Sequence, residues 1–327
     1  MEQLNVNHPS NENNQEDLKS SKVAKPKNKF LEESSLGDIA KVFSTFSNQG
    51  RVTIVPIGFP RAGKSLLLSS LFWYARNVED STFNITIESN FPFNNGNKAQ
   101  DTMTRYFGDG KLVGATQRGT LDLVGLTVNP TNNKLHDLDL AFLDLAGEDV
   151  ENVKTSNSGD FTAKINAVFN GLQVTSAPVI FLLITPFNPT NENEYLDNES
   201  GHQKEDQLHF DFINYLQINQ PRLMANSRFV VLVSKWDMNQ DPNMSVDDFI
   251  MRFRPSLYRS IMNSNVSIGH YSIGRILNQM NDVGSNNYFE EIVEKNTDSP
   301  SRLWRRLYTI CTSESLDKKS FWERIFS

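Results

Sequence analysis

Four residues in the stretch VTIVPIGFPRAGKSLLLSSLFWYA, residues 52–75, have the types and spacing that hold a polyphosphate. They are Gly58, Gly63, Lys64 and Ser65, in the pattern GxxxxGKS. Glycines at the two ends let the backbone curl with its N–H groups turned inward, where a Cβ would obstruct the anion. Lys64 supplies a point charge for the β and γ phosphates, and the Ser65 hydroxyl suits Mg²⁺, which takes oxygen ligands. Arg61, Ala62 and Leu66 complete the candidate phosphate contacts, because first-turn N–H groups at the positive end of a helix dipole face the same anion. The pattern works only between a strand and a helix. The β-branched run before Gly58 and the leucine-rich run after Ser65 supply both.

Two more patterns follow in order. LAFLDLAGE ends an apolar strand on Asp144, with Gly147 three residues later. A carboxylate at that strand end can hold Mg²⁺ directly or through water. A glycine at the DxxG position lets its N–H approach the γ phosphate and shift when that phosphate leaves. RFVVLVSKWDMN then ends a second apolar strand on Ser234, Lys235, Trp236 and Asp237. Guanine shows two adjacent donors, N1–H and the 2-amino group, which one carboxylate can accept together, whereas adenine has no such pair. Asp237 is therefore the candidate reader of the base, with the alkyl stem of Lys235 over the ring.

These residues need a scaffold, and the rest of the chain predicts one. Residues 1–33 are polar, rich in Asn, Lys and Glu, and read as a disordered tail. The cluster Lys19, Lys22, Lys25, Lys27 and Lys29 within it reads as solvated. Leu36, Ile39, Ala40 and Phe43 recur at helical spacing behind a serine cap. Strands are expected at 52–56, in TLDLVGLTV, in LDLAFLDLAGED, and at 179–185, 229–234 and 266–272. Helix-like segments such as EDQLHFDFINYL and SVDDFIMRFRPSLYRSIM lie between them. The alternation predicts an α/β fold with a mostly parallel six-stranded sheet, one antiparallel strand and helices on both faces. Residues 34–327 read as one domain with surface insertions near 77–119 and 188–203.

Composition narrows the function. A net charge of −7 argues against a general binder of nucleic acid or anionic membrane. The single cysteine, Cys311, excludes an intramolecular disulfide framework. The N-terminus lacks the basic start and apolar stretch of a signal peptide. The longest apolar run, APVIFLLITPF, is too short to cross a bilayer. The expectation is a cytoplasmic protein with no integral membrane segment. The five histidines are scattered without metal-ligand spacing.

The three motifs in this order resemble the GTPases of the translation-factor-related (TRAFAC) class of P-loop NTPases. More narrowly, GFPRAGKS, DLAGED, SKWD and the later PSRLWRRLY are similar to bacterial GTPase domains of the double-GTPase type. The resemblance implies a Ras-like sheet, GTP or GDP with Mg²⁺ as ligands, Lys64, Gly147 and a switch threonine around the γ phosphate, and Ser65, Asp144 and that threonine around the metal. Thr116 in GKLVGATQRGT is the chosen threonine and Thr120 the runner-up. For the loop behind the base, HYSIG offers Ser272, Ile273 and Gly274. CTSES, residues 311–315, is the competing candidate.

The chain also departs from this class. Ser234 stands where Asn or Thr is usual, Glu148 where a water-orienting Gln is usual, and Pro60 lies inside the phosphate loop without an N–H to donate. Three uses remain open: a slowly hydrolysing switch controlled by a protein effector or activator, a GTP-binding scaffold with nucleotide-dependent self-association, and a P-loop ATPase or small-molecule kinase. SKWD argues against the third, and Glu148 keeps the second open.

Overall fold

The computed structural model describes residues 34–88, 95–112, 121–145, 160–173, 177–188, 198–261, 266–280 and 288–317. The elements begin α1 (Leu36–Asn48), β1 (Val52–Ile57), α2 (Lys64–Asn77), β2 (Phe83–Ile87), α3 (Asn95–Gly108), β3 (Leu121–Pro130) and β4 (Leu138–Leu145). They continue α4 (Asp160–Leu172), β5 (Val179–Pro186), α5 (Asn198–Asn219), α6 (Pro221–Ala225), β6 (Ser227–Ser234) and a 3₁₀ turn (Trp236–Met238). The chain then forms α7 (Val246–Phe253), α8 (Pro255–Ile261), β7 (Val266–Tyr271), β8 (Gly274–Met280), β9 (Tyr288–Lys295) and α9 (Asp298–Thr312). The candidates Thr116, Thr120, Gly147 and Glu148, and the tail 1–33, lie outside the described residues.

The main sheet runs β2-β3-β4-β1-β5-β6-β7. Strands β4, β1, β5, β6 and β7 pair in parallel. Only β3 runs against the rest, being antiparallel to both β4 and β2. The sheet therefore has seven strands rather than the expected six, with the single reversed strand as expected. The additional strand is β2, FNITI, inside the polar stretch 77–119. Five residues with Phe83, Ile85 and Ile87 on alternate positions are too few for their period to stand out among Asn, Thr and Ser. The same stretch forms α3, where Ala99, Met103 and Phe107, four residues apart, make one buried stripe.

Two other boundaries differ from the sequence reading. SVDDFIMRFRPSLYRSIM makes two helices, because Pro255 cannot donate to the preceding turn and instead opens α8. A separate antiparallel hairpin, β8–β9, lies between β7 and α9, where the sequence showed no strand signal.

Alternating residues of each central strand feed two cores, one per face of the sheet. Val55 and Ile57 of β1 face α1, α4, α5, α7 and α8, meeting Phe43, Phe169, Phe212, Phe249 and Leu257. Val52 and Ile54 face α2, α3 and α9, meeting Leu67, Leu71, Met103, Trp304 and Leu307. Because helices cover both faces, the strands read as nearly continuous apolar runs, and β5 is buried along its whole length. Ser35 caps α1, its Oγ accepting the Asp38 N–H at 3.2 Å. No helix of the described residues is long and apolar enough to cross a membrane.

Candidate functional site

The GxxxxGKS residues form the turn from the end of β1 into α2. Gly58 is required by space: a Cβ there would lie 2.4 Å from the Ile184 carbonyl oxygen of the neighbouring strand β5. Gly63 is required by conformation, with φ of 93°. Arg61 also sits in the left-handed region, at φ 67°, an unfavourable place for a residue with a Cβ. The Lys64 ammonium folds back over the loop and donates to the carbonyls of Gly58 at 2.7 Å and Phe59 at 2.9 Å. The loop thus keeps an arched shape around the lysine. The Leu67 N–H donates to Gly63 O at 2.8 Å to start the helix, and Ser65 and Leu66 occupy its first turn, partly exposed.

A buried hydrogen bond ties this loop to the SKWD segment. Ser234, the last residue of β6, donates through Oγ to the Ala62 carbonyl at 2.7 Å. Its Cβ and Oγ are also the nearest atoms to the Cβ position of Gly63, at 3.8 Å. The serine hydroxyl thus joins the two segments, at a position where Asn or Thr is usual in the class the chain resembles.

Asp144 lies near the end of β4 and is 2% exposed. It shares the face of β4 with Leu140 and Phe142, which pack in the same core as Leu67 and Leu68 of α2, the helix that carries Ser65. Asp122 of β3 stands directly opposite Asp144 in the antiparallel register and is 1% exposed. The sequence reading missed this second carboxylate. Its signal was its parity with Val124, Leu126 and Val128, the positions of a buried strand face. Two facing carboxylates repel, so a nearby cation would favour the arrangement. Among the described residues no three His, Cys, Asp or Glu side chains form a metal-binding group by themselves. A Mg²⁺ site here fits the habit of that ion, which uses one or two carboxylates and takes its remaining oxygens from hydroxyl, water and phosphate.

In the SKWD segment, Lys235 has φ of 56° and leads into the 3₁₀ turn. Burial pulls its ammonium below the usual lysine range, with Arg61 adding to the effect and the carboxylates of Glu205, Glu290 and Asp237 opposing it. Asp237 and Ser272 line one cavity of about 420 Å³, together with Gly274, Arg275, Glu294 and Asn296. The two candidates come from the ends of β6 and β7, and the β8–β9 hairpin forms the opposite wall. Ile273 packs against the core under α2, and its carbonyl accepts the Asn296 N–H at 3.0 Å. The competing segment 311–315 falls at the end of α9 and does not line this cavity. The hairpin residues lacked any sequence signal, because their place at the cavity depends on a chain reversal that shows no apolar period.

A buried polar cluster lies at the end of β5. The Arg254 guanidinium donates from Nε to Thr185 Oγ1 at 2.6 Å and from Nη2 to Pro186 O at 3.2 Å, at the end of β5. Asp206 accepts the N–H groups of Ser256 and Leu257 at the start of α8. Burial lowers His209 to about 4, and burial with the adjoining Arg254 charge lowers His202 to about 4.

No protein-family model and no curated protein sequence matches the chain. Among solved structures it is similar to one from Plasmodium falciparum named as nucleolar GTP-binding protein 1, at 14% identity and a TM-score of 0.32. That similarity covers 69% of this chain and 78% of the other. At that degree of superposition, the residues of the site itself carry the functional reading.

Proposed function

We propose that the protein binds guanine nucleotides with Mg²⁺ in a Ras-like arrangement, hydrolyses GTP slowly and acts as a molecular switch. The observation that carries this reading is the Ser234–Ala62 hydrogen bond, which joins the GxxxxGKS loop to the SKWD segment. An accidental glycine turn has no reason to be braced from the strand that ends in KWD. The resemblance to the TRAFAC class and to bacterial double-GTPase domains belongs to the same proposal, as do a cytoplasmic setting, a protein effector or activator, and nucleotide-dependent self-association.

The roles follow from chemistry. The loop N–H groups and Lys64 hold the β and γ phosphates. Ser65, Asp144 and Thr116 would hold Mg²⁺, which supplies charge neutralisation at the phosphates. Asp237 accepts from guanine N1–H and the 2-amino group, while the Lys235 stem covers one face of the ring and Ser272 and Ile273 back it. Gly147 senses the γ phosphate through its N–H. Glu148, where an amide normally orients water, repels the γ phosphate when ionised and keeps intrinsic hydrolysis slow.

Calorimetry with GTP, GDP and ATP tests the reading. Guanine nucleotides should bind and ATP should bind far more weakly. Asp237→Asn, which sets a donor against a donor, should shift the preference towards xanthine nucleotides. Equal affinity for ATP and GTP in the wild type refutes it.

A further inference from the structure

The strongest unassigned feature is a cavity of about 620 Å³ between the edge strand β7 and helix α9. Its lining is basic although the chain carries a net charge of −7. Arg302, Arg305 and Arg306 project from one side of α9, with Ser299 one turn earlier and Thr309 one turn later. His270 and Ser267 of β7 form part of the other wall. Positions 299, 302, 306 and 309 recur at helical spacing, so the polar groups share one face.

The three arginines are not equivalent. Arg305 is committed: it pairs with Asp80 and Asp317, both at 2.9 Å, and donates to Thr82 Oγ1 at 3.0 Å. Arg302 and Arg306 form no ion pair among the described residues. Arg306 donates from Nη1 to the Ile268 carbonyl at 3.0 Å, and Arg302 donates from Nη2 to Ser299 Oγ at 3.4 Å. Burial holds the Arg306 guanidinium below its usual range, and the Arg302 charge adds to the same shift. The imidazole of His270 feels burial and then the same two arginines, all acting to keep it neutral. Its Nδ1 is buried with no hydrogen-bond partner among the described residues.

Two like charges at i and i+4 destabilise a helix face, so their juxtaposition beside a cavity asks for an anion. The guanidinium of Arg306 lies close along β7, where the Cβ position of Gly269 is 2.1 Å from Arg306 Nη1.

We propose that this cavity binds a small phosphate monoester, with Arg302 and Arg306 on the phosphate and the apolar part against Leu303, Ile310 and Leu232. Guanidinium forks match phosphate oxygens two at a time, and a dianion balances both charges together. The volume falls in the range of small-molecule pockets and well above the size of a lone oxyanion. The apolar wall favours an ester over free phosphate. The site lies on α9, apart from the phosphate loop at the start of α2. It borders the base cavity, because Ser299 Oγ also accepts the Ser272 N–H at 3.2 Å.

Calorimetric titration of the full chain with phenyl phosphate and with inorganic phosphate tests the proposal, in wild type, Lys64→Ala, Arg302→Gln and Arg302→Gln/Arg306→Gln. Saturable binding of phenyl phosphate is expected in wild type and Lys64→Ala alike, weakened about tenfold or more in the double variant. Arg302 is exposed, so its single substitution leaves the fold intact and should still weaken binding severalfold. Absence of binding in wild type, or binding lost in Lys64→Ala and kept in the arginine variants, overturns the proposal. Inorganic phosphate binding as tightly as phenyl phosphate overturns the ester assignment. Because the Lys64→Ala arm separates this cavity from the phosphate loop, the result stands apart from whether GTP binds.

Discussion

Replacing Ser234 by alanine removes one hydroxyl and keeps the Cβ that packs near Gly63. The lost contact is the 2.7 Å bond to the Ala62 carbonyl, in a place that water does not reach. A buried hydrogen bond contributes about 0.5–1.5 kcal/mol net, and an acceptor left unsatisfied raises the loss towards about 1–3 kcal/mol. About 1–2 kcal/mol is therefore expected in unfolding free energy. For a chain of this size each kcal/mol lowers Tm by about 1–2 °C. The bond also joins β6 to the loop that, on the proposed function, points its N–H groups at phosphate. If the loop in Ser234→Ala has to be reordered on binding, the same 1–2 kcal/mol appears in affinity as a loss of about 5- to 30-fold. Calorimetry with GDP and thermal melts of the free protein measure the two effects separately. Ser234→Thr, which keeps the hydroxyl, should retain most of both. A Ser234→Ala variant with wild-type Tm and GDP affinity within twofold of wild type would show that the bond does not brace the loop.

Gly58→Ala should be much more damaging than Gly63→Ala, since the first drives a methyl against the backbone of β5 and the second meets only a left-handed φ costing about 1–2 kcal/mol. Comparing their GDP affinities and melts checks the order, and a milder Gly58→Ala would contradict the close approach. Stability should fall as the pH drops below about 6.5: unfolded His202 and His209 take up protons there, while the folded groups resist until about 4. The loss attributable to the fully buried His209 is about 2–3 kcal/mol across that interval, and less for half-buried His202. Urea melts at pH 7.5 and 4.5 should differ less in a His202→Gln/His209→Gln variant, and an unchanged difference would exclude these residues as the cause. Glu148→Gln should hydrolyse GTP at least as fast as wild type in single-turnover assays. A collapse of the rate would instead make Glu148 a working base.

Sequence alone determined the parts of this protein whose chemistry is local. The GxxxxGKS turn, the strand-ending Asp144 and the KWD turn each declare themselves within a dozen residues, because glycine positions, apolar runs and terminal polar groups are all short-range constraints. The parallel central strands were legible for the same reason: burial on both faces makes each a continuous apolar run. Tertiary structure decided what depends on the meeting of distant segments. β2 has too few apolar residues to be read and exists because β3 offers it an edge. Asp122 matters only because the register sets it opposite Asp144. Ser234 read only as a departure from the usual Asn or Thr, and its partner, the Ala62 carbonyl, lies 172 residues away in sequence. The hairpin beside Asp237 and the meeting of Arg306 with Gly269 arise in the same way. Contacts at that separation are set by how helices and strands stack, and residue types at single positions carry no record of which partner the fold will bring.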